Sequence, residues 1–338
     1  MTNENTQKHL LEVKNLEVSF YTHAGEVKAV GGIDYNLGYN EVMGIVGESG
    51  SGKSVEAYSI MGLLANPGKV KGGEVFFEGE DILKYSKKQM EDFRGNKASM
   101  IFQNPMTCLN PVYTIGNQLM EAILVHKKIS RQEAWDKAVS MLELVGISNP
   151  ERRMKQYPHE LSGGMRQRVM IGMGLICEPK LLIADEPTTA LDVTIQAQIL
   201  ELMKTIQQKT KMSIIFITHN LGVVAKICDK VSVMYAGKIV EQGTVDDIFY
   251  SPSHPYTLGL MRSMPRIDAS EHERLVSIEG TPVDMLNPPE GCGFAARCDH
   301  CMKLCLRAHP PMVDLGNGHK SSCWLLTMVP GKGGADNE

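Results

Sequence analysis

GESGSGKS, the segment from Gly47 to Ser54, decides the fold of this 338-residue chain. It fits the pattern G-x-x-x-x-G-K-[ST], in which a glycine-rich loop connects a strand to a helix. Upstream lies EVMGIVG, from Glu41 to Gly47, an apolar run typical of a buried strand, and downstream lies a segment able to form a helix. Because both flanking elements are the required ones, the sequence predicts a phosphate-binding loop rather than a glycine-rich turn that matches by chance.

Each residue type in this loop has a chemical reason to be there. Gly50 and Gly52 allow the backbone to curl, so that consecutive N–H groups and the start of the following helix face the phosphates. Lys53 offers a point charge to the β- and γ-phosphates, and Ser54 would hold Mg²⁺. The loop residues predicted to bind Mg-ATP are Gly47, Glu48, Ser49, Gly50, Ser51, Gly52, Lys53 and Ser54.

A second element of the predicted site lies in LLIADEP, from Leu181 to Pro187, an apolar strand that ends in two adjacent acids. Adjacent carboxylates repel each other, and alone such a pair more often caps a helix or lies in a solvated turn. Combined with the phosphate loop, the pair indicates phosphoryl transfer. Asp185 would face Mg²⁺, directly or through water, and Glu186 would accept a hydrogen bond from the attacking water.

Strand and helix patterns alternate along the chain as far as residue 250. Apolar runs predict strands at about 11–20, 41–47, 73–77 and 97–102, and then in LLIAD, SIIFIT and VSVMY. Helices are expected from Ser130, with Glu133 completing a capping box, to about Gly146, and also after Ser162, from Val193 and after His219. This alternation predicts an α/β fold with a largely parallel core sheet.

Composition and charge narrow the class of protein. Hydrophobic residues make up 43% and charged residues 22%, and the formal net charge is −4, so no basic surface for nucleic acid is expected. The N-terminus lacks the basic and apolar regions of a signal peptide, which predicts a cytoplasmic chain. Apolar runs such as Val169–Cys177 fall well short of the ~20 residues of a membrane helix, so any membrane role is expected to involve a partner.

LSGGMRQR, from Leu161 to Arg168, separates this chain from other P-loop proteins, because it resembles the signature sequence of ATP-binding-cassette (ABC) proteins. The resemblance implies an ATP hydrolase of the translocase class, with a parallel core sheet, an antiparallel β-subdomain and a helical subdomain at about 104–178. Ser162, Gly163 and Gly164 would open a helix with unobstructed amides. In the family this anion site caps the γ-phosphate of an ATP held by the partner subunit, so two chains must pair head to tail.

Other positions match the motifs of the ABC family one by one. Gln103 in IFQNP resembles the Q-loop glutamine, which senses Mg²⁺ and the γ-phosphate, Asp192 in TALD resembles the D-loop, and His219 in FITHN resembles the switch histidine. A lone histidine after a strand is usually a helix cap or a core residue, and a lone glutamine is usually solvated. The order and spacing of the motifs instead favour catalytic roles for Gln103 and His219 beside Glu186. Adenine should stack on an aromatic ahead of the phosphate loop, and of Phe20 and Tyr21 we place the contact on Tyr21.

Two further segments resemble the dipeptide and oligopeptide importers, namely QNPMTCLNP (Gln103–Pro111) and HPYT (His254–Thr257). Cys108 stands where that branch usually has serine, an exchange of small residues. The branch implies a second ABC ATPase, commonly a paralogue, and two transmembrane permease subunits whose coupling helix enters a groove near Gln103. An extracytoplasmic peptide-binding protein would act indirectly. The chain would then lie at the cytoplasmic face of the cell membrane as a peripheral subunit.

The solute stays open at the level of sequence, because the permease and the external binding protein select it. Nickel or another solute is one alternative to peptides. A soluble ABC ATPase acting on DNA repair, chromosomes or ribosomes is another, but such proteins usually carry a long coiled-coil insertion or two cassettes. The stretch between Gln103 and Ser162 has room for a few helices and shows no heptad run. An inactive regulatory cassette is disfavoured by the intact Glu186 and His219.

The composition changes at SPSHPYTLG, from Ser251 to Gly259, after which proline and glycine become frequent. We therefore expect a nucleotide-binding domain over residues 1–250, an extension over 251–328 and a disordered tail over 329–338. Five of the eight cysteines lie in this extension, between Cys292 and Cys323. In a cytosolic chain they should be reduced thiols or metal ligands.

Four of these cysteines have the spacing C-x5-C-x6-C-x17-C: Cys292, Cys298, Cys305 and Cys323. Four thiolates suit a zinc ion or an iron–sulfur cluster, and free thiols packed in a small core are a third interpretation. GCGFAARCDHCMKLC followed by HKSSC resembles the C-terminal extension of peptide-importer ATPases, some of which hold a 4Fe–4S cluster on these cysteines. Gly293, where proline is common, and the additional Cys301, which could replace a ligand, are departures from that pattern.

Overall fold

The computed structural model describes residues 9–103, 108–189, 192–264 and 277–327. Two compact units make up the chain. Unit 1 comprises Met1–Leu11, Leu37–Val42 and Phe77–Ile217, and unit 2 comprises Glu12–Asn36, Met43–Phe76 and Thr218–Glu338. Three predictions fall partly or wholly outside the described residues, namely positions 104–107 of QNPMTCLNP, positions 190–191 of TALD, and the disordered tail over 329–338.

In chain order the described strands are β1 Leu11–Thr22, β2 Gly25–Leu37, β3 Val42–Val46, β4 Gly68–Phe77, β5 Glu80–Asp81, β6 Ala98–Ile101, β7 Leu181–Asp185, β8 Ser213–Thr218, β9 Lys230–Tyr235, β10 Lys238–Thr244, β11 Val313–Gly316 and β12 His319–Ser321. The described α-helices are α1 Lys53–Ile60, α2 Lys87–Asp92, α3 Ile115–His126, α4 Arg131–Leu144, α5 Pro150–Met154, α6 Gly163–Leu175, α7 Val193–Thr210, α8 Leu221–Ile227, α9 Val245–Tyr250, α10 Pro255–Arg262 and α11 Trp324–Thr327.

Unit 1 contains three parallel strands in the order β8, β7, β6. Leu181 of β7 pairs with Ser213 of β8 on one side and with Ala98 of β6 on the other. All residues of these strands are buried, as expected for parallel strands covered on both faces, and this explains why LLIAD and SIIFIT are almost uninterrupted apolar runs. The prediction of an α/β core with parallel strands is confirmed. Since parallel strands end at the same edge, the residues that follow β6 and β7 are placed side by side.

Helices of unit 1 begin where the sequence provides caps. The hydroxyl of Ser130 accepts a hydrogen bond from the backbone N–H of Glu133 at 3.2 Å, and the Glu133 carboxylate accepts one from the N–H of Ser130 at 2.8 Å. This confirms the predicted capping box at the start of α4. Helix α3 buries Ile115, Leu119 and Ile123, which lie on one face because they are four residues apart.

Unit 2 contains a mixed sheet in the order β11, β12, β10, β9, β3. Strand β3 is parallel to β9, whereas β9–β10, β10–β12 and β12–β11 are antiparallel pairs. The last two strands come from the cysteine-rich extension, so the extension adds a hairpin to the sheet that carries the phosphate loop. A separate set of strands in this unit has the order β2, β1, β4.

Glu241 on β10 is the buried anchor of the extension. Its carboxylate accepts hydrogen bonds from the backbone N–H groups of Ser253 at 2.6 Å and His254 at 3.0 Å, and pairs with Nε2 of His319 at 2.8 Å. A buried carboxylate is stable only when its oxygens are satisfied in this way. The contacts therefore join β10, the start of α10 and the terminal hairpin.

None of the helices in the described ranges is both long enough and apolar enough to cross a membrane.

Candidate functional site

The loop predicted to bind phosphate connects β3 to α1 in unit 2. Gly50 and Gly52 have φ values of 79° and 101°, which favour glycine, and a Cβ on Gly52 would lie 2.4 Å from the carbonyl oxygen of Ala29. A Cβ on Gly47 would lie 2.1 Å from the carbonyl oxygen of Met234. Two of the motif glycines are therefore required by close backbone contacts within the unit.

Lys53 lies inside the loop, and its side chain has little access to solvent, with 5% of the residue exposed. Its ammonium donates to the carbonyl oxygens of Gly47 at 2.8 Å and Glu48 at 2.7 Å, and to the hydroxyl of Ser51 at 3.3 Å. Helix α1 begins at this lysine without a side-chain cap from Gly52. The positive end of the helix and the ammonium thus lie at the same place, which suits an anion.

Glu186 follows β7 in unit 1, directly after Asp185, which is buried. The backbone N–H of Glu186 donates to the carbonyl oxygen of Ile217 at 2.9 Å, and φ is 46°, an uncommon value for a residue other than glycine. One carboxylate oxygen, Oε2, accepts hydrogen bonds from Nε2 of Gln103 and from Oγ1 of Thr189, both at 2.9 Å. The structure therefore brings together two predicted catalytic residues, Gln103 and Glu186.

The predicted signature residues begin α6 in unit 1. The hydroxyl of Ser162 accepts a hydrogen bond from the N–H of Met165 at 3.4 Å, and a Cβ on Gly163 would meet no atom within 4 Å. Further along the helix, Nε2 of Gln167 donates to the carbonyl oxygen of Pro187, next to Glu186. The start of α6 is exposed, and the same helix contacts the segment that directly follows β7.

The other predicted residues occupy simpler positions. Asp192 caps α7 by accepting a hydrogen bond from the N–H of Ile195 at 2.9 Å. His219 follows β8 and is exposed. Tyr21 is 46% exposed, and the ammonium of Lys69 lies 5.9 Å from its ring centroid, whereas Phe20 packs against Gly68. Of the two aromatic candidates, Tyr21 thus offers the accessible ring.

Four thiols of the extension lie near one another in unit 2. Burial, together with the neighbouring Cys305, Cys323 and Cys298, raises the pKa of Cys292 to about 11. Cys305 and Cys323 are buried, whereas Cys301 is exposed. Across the part of the chain that the structure describes, no three or more histidine, cysteine or acidic side chains are arranged to hold a metal ion.

A groove of ≈ 880 Å³ lies on the helical part of unit 1, between α3 and the segment before it. Its lining includes Tyr113, Asn117, Met120, Glu121, Val125 and Met173. Val125 is 72% exposed and Tyr113 is 54% exposed, so the groove presents large apolar side chains to solvent. Apolar side chains grouped in this way mark contact surfaces more often than isolated ones do.

Three residues of these sites were not singled out by sequence. Thr189 was quoted only as part of TALD, although its hydroxyl bonds to Glu186. Tyr256 and Arg297 contact Glu48 of the phosphate loop. Tyr256 lies in the HPYT segment, which drew attention only as a resemblance, and Arg297 carries no local signal, because it is 249 residues from Glu48.

Two family models match the chain. Residues 30–189 match the model described as ABC transporter, and residues 240–305 match the model described as oligopeptide/dipeptide transporter, C-terminal region. The second match spans the segment from β10 to Cys305.

Among curated proteins, the oligopeptide transport ATP-binding protein OppD of Bacillus subtilis (strain 168) is 56% identical over 318 residues, which cover 94% of this chain and 89% of that protein. The dipeptide transport ATP-binding protein DppD of the same strain is 56% identical over 317 residues, which cover 94% of both chains. OppD of Salmonella typhimurium is 50% identical over 315 residues, which cover 93% of both chains.

Solved structures have the same fold. The ATP-binding cassette MJ0796 in a post-hydrolysis state with ADP and Pi aligns with a TM-score of 0.63 at 24% identity, covering 70% of this chain and 98% of that one. The cbiO1 protein of Clostridium perfringens, part of the ABC transporter complex cbiONQ, aligns with a TM-score of 0.62 at 29% identity, covering 72% of this chain and 92% of that one.

Proposed function

Since the chain belongs to the oligopeptide and dipeptide transport ATP-binding proteins of the ABC transporter family, we propose that it hydrolyses Mg-ATP to power import of di- or oligopeptides through a membrane permease. The observation that carries the proposal is the phosphate loop, with Lys53 held among its carbonyl oxygens. The relatives named above are peptide transport proteins, which disfavours nickel or a non-transport role. Phosphate release by the purified chain and ATP-dependent peptide uptake by its membrane complex test the proposal.

In this proposal the loop binds the triphosphate and Tyr21 stacks on adenine. Phosphate oxygens replace the carbonyl oxygens of Gly47 and Glu48 as partners of the Lys53 ammonium, which gains charge-assisted hydrogen bonds. Ser54 and Asp185 would hold Mg²⁺, which neutralises charge on the β- and γ-phosphate oxygens. The oxygen donors fit this ion, because Mg²⁺ prefers hydroxyl, carboxylate and phosphate oxygens.

Hydrolysis needs a group that orients and deprotonates water. We assign this role to Glu186, whose Oε2 is already fixed by Gln103 and Thr189. The water oxygen attacks the γ-phosphorus, the bond from that phosphorus to the β–γ bridging oxygen breaks, and the water proton passes to the carboxylate. ADP and inorganic phosphate leave, and the proton returns to solvent.

The complete enzyme would be a pair of cassettes. The exposed start of α6, with its open Gly163, leaves room for the γ-phosphate of an ATP bound by the second cassette. This contact would come from Ser162, Gly163 and Gly164. Asp192 would lie where the two cassettes meet, and His219 would reach the γ-phosphate. The second cassette would be either a copy of this chain or a paralogue. The pair would assemble with two permease subunits.

The groove on unit 1 is the proposed contact for the permease. A cytoplasmic helix with an apolar face would cover Val125 and Tyr113, which lie together in this groove and are 72% and 54% exposed. This contact would place the chain at the cytoplasmic face of the membrane. We also retain, as proposals, the division into a nucleotide-binding domain over 1–250 and an extension over 251–328.

Val125→Glu is expected to weaken the permease contact. Burying a carboxylate in an apolar interface without a partner should reduce copurified permease by roughly tenfold. ATP binding should be unchanged, because Val125 lies outside the phosphate loop. The measurement is quantitative mass spectrometry of membrane proteins captured with each variant, with Leu306→Glu, an exposed leucine of the extension, as the matched control. Equal capture by Val125→Glu and the parent would show that the groove is not the contact.

For the extension we propose a 4Fe–4S cluster on Cys292, Cys298, Cys305 and Cys323. Four neighbouring cysteines supply the kind of donor that such a cluster takes, although the described side chains are not arranged around a metal position. Burial raises the pKa of Cys292, Cys298 and Cys323, so these thiols need a cationic centre before they can be thiolates together. The exposed Cys301 suits the role of ligand less well than the buried Cys305 and Cys323 do. The cluster would act as a structural centre in a segment too rich in proline and glycine to hold its shape by core packing alone.

Protein purified without oxygen is expected to be brown and to contain about four iron and four sulfide per chain. Chelation of the iron should lower the melting temperature of the extension. The Cys301→Ser substitution should lower it less than chelation does. Zinc in a one-to-one ratio with colourless protein would contradict the cluster, and so would the absence of any bound metal.

A further inference from the structure

The extension makes hydrogen bonds to Glu48 of the phosphate loop. The backbone N–H of Glu48 donates to the hydroxyl of Tyr256 at 2.8 Å. Its carboxylate accepts two hydrogen bonds from Arg297, from NH1 to Oε2 at 2.6 Å and from NH2 to Oε1 at 3.0 Å. Both the main chain and the side chain of this loop residue are thus bonded to residues that lie outside the 1–250 segment.

Arg297 is itself held in place. Its Nε donates to the carbonyl oxygen of Glu279 at 2.9 Å, and NH2 donates to that of Ile278 at 3.1 Å. NH1 also lies 3.4 Å from the hydroxyl of Tyr235, and 5% of the arginine side chain is exposed. Because the guanidinium is fixed by three other groups, it offers Glu48 a preformed two-pronged site.

Tyr256 is equally fixed. It is fully buried, and its ring centroid lies 4.6 Å from that of Tyr235 and 5.4 Å from that of Phe294. The N–H of Tyr256 donates to Nδ1 of His254 at 3.0 Å, which caps α10. The hydroxyl that accepts from Glu48 therefore sits on a rigid part of the core.

The contact between Arg297 and Glu48 also changes the charge that the loop presents to a ligand. A carboxylate in a loop that binds a triphosphate would repel the ligand if it stood alone, and the Glu48 side chain is 26% exposed. Arg297 neutralises this carboxylate and turns it toward the extension. The carbonyl oxygen of the same residue accepts from the Lys53 ammonium at 2.7 Å, so Glu48 links Arg297 to the lysine.

We propose that Arg297 is a positioning residue for the nucleotide site, which neutralises Glu48 and fixes the start of the phosphate loop so that the C-terminal extension sets the affinity for ATP. This inference rests on the proposed function, in which the loop binds ATP. In this proposal Arg297 acts through the charge on Glu48 and not only by supporting the loop. If charge on Glu48 is what Arg297 controls, then removing that charge must compensate for the loss of the arginine.

The test compares the dissociation constant for Mg-ATP of the purified full-length chain with that of four variants, by isothermal titration calorimetry. Arg297→Gln should raise the dissociation constant about tenfold, which corresponds to ~1.4 kcal/mol. The double variant Arg297→Gln with Glu48→Gln should recover most of that loss. Arg297→Lys, which keeps the charge, should bind within about threefold of the parent. Arg307→Gln removes an exposed charge from the same extension and should bind as the parent does.

Thermal melts of each variant show whether the fold is kept. If Arg297→Gln does not fold, the dissociation constant of Arg297→Lys is compared with that of the double variant Arg297→Lys with Glu48→Gln. Because the lysine keeps the charge, Glu48→Gln should then give no further gain in affinity for Mg-ATP. Parent-like binding by Arg297→Gln would overturn the inference, and so would a double variant as weak as the single one. Failure of the parent chain to bind ATP would instead overturn the proposed function.

Discussion

Glu186→Gln is expected to bind Mg-ATP and to lose steady-state hydrolysis. The amide keeps the size of the side chain. It can still contact Gln103 and Thr189, which donate hydrogen bonds to Oε2 of Glu186 in the parent. It cannot accept a proton from water, so the turnover number should fall by roughly 10²- to 10⁴-fold. The measurement is phosphate release under saturating ATP, together with the dissociation constant for ATP.

Glu201→Gln is the matched control for this variant, because Glu201 is an exposed glutamate on α7. It should hydrolyse ATP at the parent rate. Turnover by Glu186→Gln at the parent rate would show that another group activates the water. Loss of ATP binding by the same variant would show that Glu186 serves the structure of the site rather than the chemistry.

Lys53→Ala is expected to abolish useful binding of ATP. The ammonium is almost enclosed, and its bonds to Gly47, Glu48 and Ser51 show that its position faces acceptor oxygens. Removing a buried charged partner of the phosphates should raise the dissociation constant by roughly a hundredfold. Lys53→Arg should also bind weakly, because a planar fork does not fit the space of a compact ammonium.

Lys209→Ala tests whether loss of any positive charge has this effect, since Lys209 is exposed near the end of α7. Its affinity for ATP should match that of the parent. Circular dichroism of Lys53→Ala excludes unfolding as the cause of lost binding. A folded Lys53→Ala with parent-like affinity would contradict the assignment of the phosphate loop.

The parts of the fold that sequence predicted well are those with a simple physical pattern. LLIAD and SIIFIT were expected as strands and form β7 and β8 with the same bounds, because strands buried on both faces must be apolar throughout. The capping box of α4 was equally clear, because Ser130 and Glu133 satisfy each other locally. In such cases neighbouring residues contain all the necessary information.

Some elements that sequence analysis missed did carry a signal. The hairpin of β11 and β12 turns at Asn317 and Gly318, both with positive φ, and this dipeptide is a strong indicator of a two-residue turn. Strand β2 buries Ile33, Tyr35 and Leu37 on one face, an alternation that its glycines obscure. A search by turn chemistry and by period two would have found both.

The contact between Arg297 and Glu48 is different, because no local rule could predict it. It depends on the docking of the extension through Glu241 and on the packing of Phe294 against Tyr235 and Tyr256. These are properties of the assembled core. The residues of the phosphate loop were therefore predictable from their motif, whereas their support from the extension was visible only in the structure.

Whether this protein powers peptide import can be measured as uptake of a labelled peptide by the purified membrane complex, reconstituted in vesicles with ATP on the side of this chain. We predict accumulation of peptide that requires hydrolysable ATP and stops when this chain carries Glu186→Gln. Equal accumulation without ATP, or with the Glu186→Gln chain, would contradict the claim that ATP hydrolysis by this protein powers peptide import.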